Sequence, residues 1–223
     1  MASTYAVSIP GARLEELEGL GHMGPMEAPD RVNRLLLDFL EEHEHGTLVL
    51  PTSRRLAFRT WRQDDAPLGM LLWGDPRVTS FVASAPLSAS QAQERVREEI
   101  ACGAEHGMQF GPIFLRATGA LVGCCGFRPR ASPPGVLELG FLLRPQFWGQ
   151  GLATEAAHAS VKHAFEVLGA RAIFASHHPE NSASRRVLEK LGFRQTRLEH
   201  EHPSYLLSRD AFRGPGSNPP APR

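Results

Sequence analysis

The sequence predicts a mixed α/β (α+β) fold in which a mostly antiparallel sheet is flanked by helices, with a short strand-and-helix appendage at the N-terminus. Three observations point there. Between Thr52 and Phe212, stretches with the two-residue period of strands alternate with stretches with the 3.6-residue period of helices. Two apolar runs joined at Thr118-Gly119 read as a hairpin, which makes their pairing antiparallel. A further apolar run, 136–143, passes directly into a glycine-bearing segment, 146–151, and then into a helical pattern ending at Gly169. A chain of 223 residues holds one domain with an appendage and is too short for two full catalytic domains.

Taken in order, a strand is expected over 55–61 and a helix from Asp64-Asp65 through Trp73, stopped by Asp75-Pro76. The next helix covers 88–105. Ser88 with Gln91, or Ser90 with Gln93, offers a capping box, and Ala92, Val96 and Ile100 form its buried stripe, while its Glu and Arg residues read as a solvated face. The hairpin pairs 110–117 with 120–127, and Pro133-Pro134-Gly135 separates it from the strand 136–143. The following helix presents Ala153, Ala157, Val161, Ala164, Phe165 and Leu168 as its apolar face. A strand over 172–176, a helix over 182–191 and a strand pair around 193–197 and 205–208 complete the body. From Arg213 onward glycine and proline crowd out any period, so an unstructured end without chemistry is expected.

Composition narrows the function classes. Basic and acidic side chains both number 24, so the chain lacks the cationic excess that goes with coating DNA or RNA. With 42% hydrophobic and 22% charged residues it has the make-up of a folded protein. Apolar runs such as Phe141-Leu142-Leu143 fall far short of the roughly 18 residues a membrane-spanning helix requires, so no membrane partner is expected. The opening Met1-Ala2-Ser3-Thr4-Tyr5 resembles no secretory signal, and a cytoplasmic location follows as the expectation. Cys102, Cys124 and Cys125 suit that reducing setting, because an odd number with two adjacent reads as small buried residues rather than a disulfide framework. Charge is nevertheless uneven. Residues 1–46 hold nine acidic and three basic side chains, leaving fifteen and twenty-one for the rest, so an acidic head precedes a mildly basic body suited to a polyanionic small ligand.

The stretch from Arg144 to Ala156 reads Arg-Pro-Gln-Phe-Trp-Gly-Gln-Gly-Leu-Ala-Thr-Glu-Ala: a strand end, a glycine loop and a helix start in succession. Gly149 and Gly151 permit positive φ and close approach of a ligand, and the helix's first N–H groups and positive dipole end face the same point. A pyrophosphate fits such a place, although a plain strand-to-helix turn uses the same residues.

This stretch resembles the coenzyme A loop of the GNAT superfamily of N-acetyltransferases: Gln or Arg, two residues, Gly, one residue, Gly or Ala, matched by Gln146, Gly149 and Gly151. Its wording is similar to the RimJ/RimL-like branch. Two further motifs resemble that branch: residues 181–193, Asn-Ser-Ala-Ser-Arg-Arg-Val-Leu-Glu-Lys-Leu-Gly-Phe, and residues 56–66, Leu-Ala-Phe-Arg-Thr-Trp-Arg-Gln-Asp-Asp-Ala. With Gly123 and the closing Tyr205-Leu206-Leu207, the resemblance spans about 52–212. It implies a GNAT sheet whose central strands, 136–143 and 172–176, splay to admit the pantetheine arm of acetyl-CoA, the cosubstrate. An amine acceptor, a protein N-terminus or a small molecule, then enters from the opposite side, and the protein acts as a monomer or homodimer. The residues expected at the coenzyme are Leu142, Leu143, Gln146, Phe147, Trp148, Gly149, Gln150, Gly151, Leu152, Ala153, Asn181 and Ser184. Structural readings stand beside these: Asn181 as a helix cap, Gly192-Phe193 as a C-terminal cap with its clasp, and Trp148 as core packing.

Transfer of an acetyl group from a thioester to an amine requires a neutral amine, an oxyanion donor and a protonated leaving thiolate. Glu138, the one acidic side chain in the strand beside the expected acetyl site, is the candidate base, directly or through water. Backbone N–H groups near Leu142 and Leu143 are the implied oxyanion donors, through the strand irregularity of the family. Many members place a tyrosine acid where this chain has Leu188, which gives no proton. Ser184, one turn upstream, is the implied substitute and Tyr205 a weaker one; solvent is a third route, since a thiolate with a pKa near that of cysteine, ~8.5, leaves readily.

His177-His178 and the pair His200 and His202 stand out among ten histidines, but none has the i, i+4 spacing or cysteine companions of a zinc site, so no metal is expected. His177 and His178 end a strand beside the expected site, within reach of substrate. The head contains Ile9-Pro10-Gly11-Ala12-Arg13-Leu14, then Gly21-His22-Met23-Gly24-Pro25-Met26-Glu27-Ala28-Pro29-Asp30, then a helical pattern over 31–42. It is similar to the C-terminal fragment of an α/β-hydrolase, with His22 at the catalytic-histidine position. No Gly-x-Ser-x-Gly elbow occurs in the chain, so the head is expected to be noncatalytic. Esterase activity is the remote alternative, and an acyl-CoA-binding sensor or scaffold, suggested by Leu188, the nearer one.

Overall fold

Seven short segments pair into one sheet. The computed structural model describes residues 49–212, apart from Arg197 and His200, together with residues 28–30, 32 and 33. In chain order the strands are β1 (Leu56–Phe58), β2 (Phe110–Leu115), β3 (Leu121–Pro129), β4 (Val136–Leu143), β5 (Ala172–Ser176), β6 (Arg194–Gln195) and β7 (Ser204–Ser208), ordered β1-β2-β3-β4-β5-β7-β6 across the sheet. Every pairing is antiparallel except β4 with β5, so the mixed, mostly antiparallel sheet expected from the sequence is the one that forms. The single parallel pair needs a crossover, and α4 (Leu152–Glu166) supplies it. The other helices are α1 (Ala66–Trp73), α2 (Pro76–Thr79), α3 (Ala89–His106) and α5 (Ser182–Lys190).

The sheet is covered on both faces. Alternate residues of β4, Leu137, Leu139 and Leu143, join Ala157, Val161, Ile173 and Leu207 in the main core beneath α4. The opposite face carries a second cluster in which Leu121, Cys124 and Leu142 meet Trp61, Leu72, Trp73, Ala92 and Val96 from α1, α3 and the segment before α1. The predicted capping box starts α3: Gln91 N–H donates to Ser88 Oγ at 3.4 Å and Ser88 N–H to Gln91 Oε1 at 2.8 Å. Gly107, at φ 67°, ends it. All three cysteines are buried and unpaired, as the sequence led us to expect.

Three local expectations change. Gly74 ends α1, and Asp75 instead caps α2 by accepting from Arg77 N–H at 2.9 Å; a four-residue helix is too short to show a period. Glu99 belongs to no solvated face. It is fully buried and accepts from the N–H of Phe110 at 2.9 Å, from Arg95 at 3.1 Å and from Arg128 at 2.5 Å, so two cations compensate one buried carboxylate. The first strand, expected over 55–61, is confined to three residues.

Contacts divide the chain into two units, Met1–Thr47 and Leu48–Arg223. In the first, Pro29, Asp30, Val32 and Asn33 are helical and Val32 N–H donates to Ala28 C=O at 3.1 Å. His22, the expected head strand, most of the helix over 31–42 and the tail from residue 213 lie outside the described residues.

Candidate functional site

The opening arises where β4 and β5 part. They pair only at Val136 with Ala172, Leu137 with Ile173 and Glu138 with Phe174. Beyond that point β4 follows β3 as far as Leu143, and β5 follows β7 as far as Ser176. A cleft of about 460 Å³ lies there, walled by Glu138 and Leu142 of β4, His177 and His178 after β5, Ser184 and Leu188 of α5, and Phe81 from the α2–α3 connection. The splay implied by the resemblance is present.

Backbone polarity along β4 follows from one bond. Arg144 N–H donates to Val122 C=O at 2.9 Å. By the alternation of antiparallel pairs, the N–H of Leu142 also faces β3, whereas those of Phe141 and Leu143 face the cleft. Of the two amides expected there, that of Leu143 faces the cleft and that of Leu142 faces β3, while the amide of Phe141 shares the cleft side with Leu143. The irregularity expected in β4 is absent from its pairing with β3, which keeps register from Leu137 to Leu143; the shift falls on β2, between Ile113 and Phe114.

The glycine loop continues from β4 through a 3-10 turn, Pro145–Phe147. Gly149 and Gly151 adopt φ 73° and 75°, conformations that favour glycine. Gly151 is the N-cap of α4 and offers no side-chain cap, which leaves the first-turn N–H groups of a 15-residue helix to a ligand. A Cβ at Gly149 would meet nothing within 4 Å, so the loop has open space beside those donors. A pyrophosphate fits this arrangement. Phe147 packs against the main core, and Leu152 is buried with Ala153 half-buried, so the last two offer backbone rather than side chain to a ligand. Trp148 is no core residue: it is 51% exposed, and its indole N–H donates to Leu143 C=O at 2.7 Å, tying the loop to the end of β4. Gln150 closes the loop internally by donating to Gln146 C=O at 2.8 Å, while the side-chain oxygen of Gln146 accepts from Arg144.

Long-range contacts brace the loop. Glu155, in the first turn of α4, accepts from Ser53 Oγ at 2.5 Å, from Arg55 N–H at 2.7 Å and from Arg55 Nε at 2.6 Å. Arg55 also donates to Gln150 C=O at 3.1 Å. Burial pushes the Glu155 carboxyl up, but the Ser53 and Arg55 hydrogen bonds outweigh it and hold its pKa below the usual carboxylate value. Asp65 behaves alike: burial raises it, and the Arg59 guanidinium and Arg62 N–H bring it down further than burial lifts it.

Asn181 serves two ends, accepting from Ser184 N–H at 3.0 Å as the cap of α5 while lining the cleft. Leu188 is buried in the cleft wall. Glu138 stands 3.5 Å from Arg130 Nη1, while Nη2 of the same guanidinium reaches Glu199 at 3.1 Å and its carbon lies 3.9 Å from the centre of the Phe174 ring. Two carboxylates share one cation there. His177 Nδ1 is 2.7 Å from His178 C=O, which only accepts, so that nitrogen carries the proton and Nε2, 3.3 Å from the Tyr205 hydroxyl, accepts from it. The Tyr205 proton is thus engaged behind His177, and burial pushes its pKa up; both weaken Tyr205 as the acid for a leaving thiolate.

Sequence reasoning missed Arg55, Arg130 and Glu199. No local spacing marks them, because their partners lie 8 to 100 residues away. Among the described residues no three His, Cys, Asp or Glu side chains converge as a metal site, and no helix is long and apolar enough to cross a membrane.

Comparison with known proteins adds to this geometry. Residues 55–194 match the acetyltransferase (GNAT) domain family. The uncharacterized N-acetyltransferase p20 of Bacillus licheniformis is 28% identical over 151 residues, which cover 67% of this chain and 85% of that one. An acetyltransferase of Agrobacterium tumefaciens strain C58 superposes with a TM-score of 0.61 at 26% identity, covering 71% of this chain and 93% of that one. RimL, a ribosomal L7/L12 alpha-N-protein acetyltransferase solved with coenzyme A, superposes with a TM-score of 0.63 at 18% identity over 72% of this chain and 98% of that one, a likeness of fold.

Proposed function

The chain belongs to the GNAT family of N-acetyltransferases, and from that premise we propose that it moves the acetyl group of acetyl-CoA onto a primary amine by direct attack on the thioester. The observation that carries this is the parting of β4 and β5, with β4 running on through the glycine loop to the uncapped start of α4; on this reading the two ligands enter the opening from two sides. Backbone donors at Gly149 to Ala153 receive the pyrophosphate. The N–H groups of Phe141 and Leu143 face the thioester and stabilise the oxyanion formed on attack. Glu138 receives the acceptor's ammonium, and Ser184 hydrogen-bonds the departing sulfur.

The acceptor is the N-terminal amine of a peptide or a small-molecule amine. The apolar rim of Phe81 and Val82 supports a hydrophobic group beside the amine, and the RimL neighbour supports the peptide form. The head takes no part: the groups assigned to transfer all lie within the body, from Glu138 onward. Thiol release from acetyl-CoA against a panel of peptides and small amines tests the reading, with E138Q and S184A beside wild type. Acceptor-dependent release, slowed in either variant at unchanged coenzyme affinity, supports it. Tight coenzyme binding with no release against any acceptor favours a sensor.

A further inference from the structure

We propose that His202 is the proton acceptor of the transfer, a role that rests on the transferase reading above. His202 lines the cleft with Glu138 and Ser184. Its Nδ1 lies 3.3 Å from the backbone carbonyl of His177, and since a carbonyl only accepts, Nδ1 carries the proton. In the neutral ring the lone pair then sits on Nε2, the free nitrogen. His178 is set the opposite way: its Nδ1 accepts from Glu180 N–H at 3.3 Å, which makes its Nε2 a donor. Backbone groups therefore give two neighbouring imidazoles, 5.9 Å apart, opposite roles at one mouth.

The turn bearing His202 is held for this purpose. Glu199 and His202 exchange backbone hydrogen bonds of 3.1 and 2.9 Å, and Glu201 between them adopts φ 66°, a left-handed conformation that strains a residue with a side chain. Arg130 binds Glu199 of this turn and Glu138 of β4 together, so one guanidinium sets the imidazole's turn against the carboxylate's strand. Lining the cleft with His202 are His177 and His178 from the end of β5, Glu138 from β4 and Arg95 from α3; on its own turn Glu199 shares backbone hydrogen bonds with it, and Arg130, after β3, joins Glu199 to Glu138.

The two groups divide the chemistry. Glu138 attracts and orients the ammonium, and His202 Nε2 takes one of its protons as the amine's lone pair becomes available. The amine nitrogen bonds to the acetyl carbon, the carbon–sulfur bond breaks, and the nitrogen's second proton ends on the thiolate. His202 returns its proton to solvent. A ring nitrogen with a bare lone pair can accept a proton from an ammonium and pass it on to water.

His202→Asn keeps an N–H donor for the His177 carbonyl and removes the lone pair. In the full chain, H202N is expected to lose about 100-fold in kcat/KM for the acceptor. It should also lose the acidic limb of the pH profile, with coenzyme affinity and melting temperature retained. Long-range proton–nitrogen NMR of the wild type provides a readout independent of turnover and should find the His202 ring protonated at Nδ1 and bare at Nε2. Turnover by H202N within twofold of wild type with the same pH profile, or a proton found on Nε2 in the neutral ring, overturns the assignment while leaving the transferase reading intact. A wild type that releases no thiol with any acceptor overturns the transferase reading and this assignment together.

Discussion

The two sides of the cleft are built on different principles. The proposed coenzyme side is one continuous stretch, Arg144 to Glu155, which offers backbone N–H donors exposed by two left-handed glycines and a helix start. The proposed acceptor side is assembled from side chains of β4, the α2–α3 connection, the end of β5 and the turn before β7, with Arg130 joining β4 to that turn. A phosphate can be held by main chain, which nearly any sequence supplies once its φ angles are set. An amine with a particular neighbouring group needs side chains, and those come from wherever the fold puts them.

That contrast can be broken most sharply at Gly151. A valine there is forced into a left-handed conformation, costing about 1–2 kcal/mol, and G151V should bind coenzyme A about five- to thirtyfold more weakly by calorimetry. An unchanged affinity would show that the loop is not the grip. On the acceptor side, Arg130→Met frees both Glu138 and Glu199. Loss of up to about 1 kcal/mol of positioning should raise the acceptor KM about fivefold at unaltered coenzyme affinity. If coenzyme affinity falls as well, the two sides are not independent.

The smallest effect concerns the brace behind the glycine loop. The folded-state pKa of Glu155 lies below its ordinary value, so its stabilisation is complete above that value and is lost as pH falls through the folded one. Thermal unfolding followed from pH 6 to 3 should show the wild type losing more stability on acidification than E155Q, by on the order of 1 kcal/mol. Parallel curves would mean that the Ser53–Glu155–Arg55 contacts contribute nothing to the fold.

Much of the architecture was legible because its causes are local. The capping box of α3, the hairpin turn at Gly119, the two-residue period of β4 and the glycines before α4 each declare themselves within a dozen residues. Where local signals misled, a distant group had intervened. Glu99 follows the polar pattern of an exposed face, yet a strand's first N–H and two arginines draw it inside. Trp148 has the size of a core residue but stays half exposed, since the indole N–H finds its partner at the end of β4.

The sequence by itself determined the element order, the mixed sheet, the glycine loop before α4 and the family, all of which depend on periodicity, turn residues and short motifs. The tertiary structure alone decided which β4 amides face the cleft, which arginine joins Glu138 to Glu199, and which nitrogen of His202 is left free. Those outcomes depend on contacts between residues 8 to 69 positions apart, and hydrogen-bond direction between such groups exists only once the chain has closed on itself.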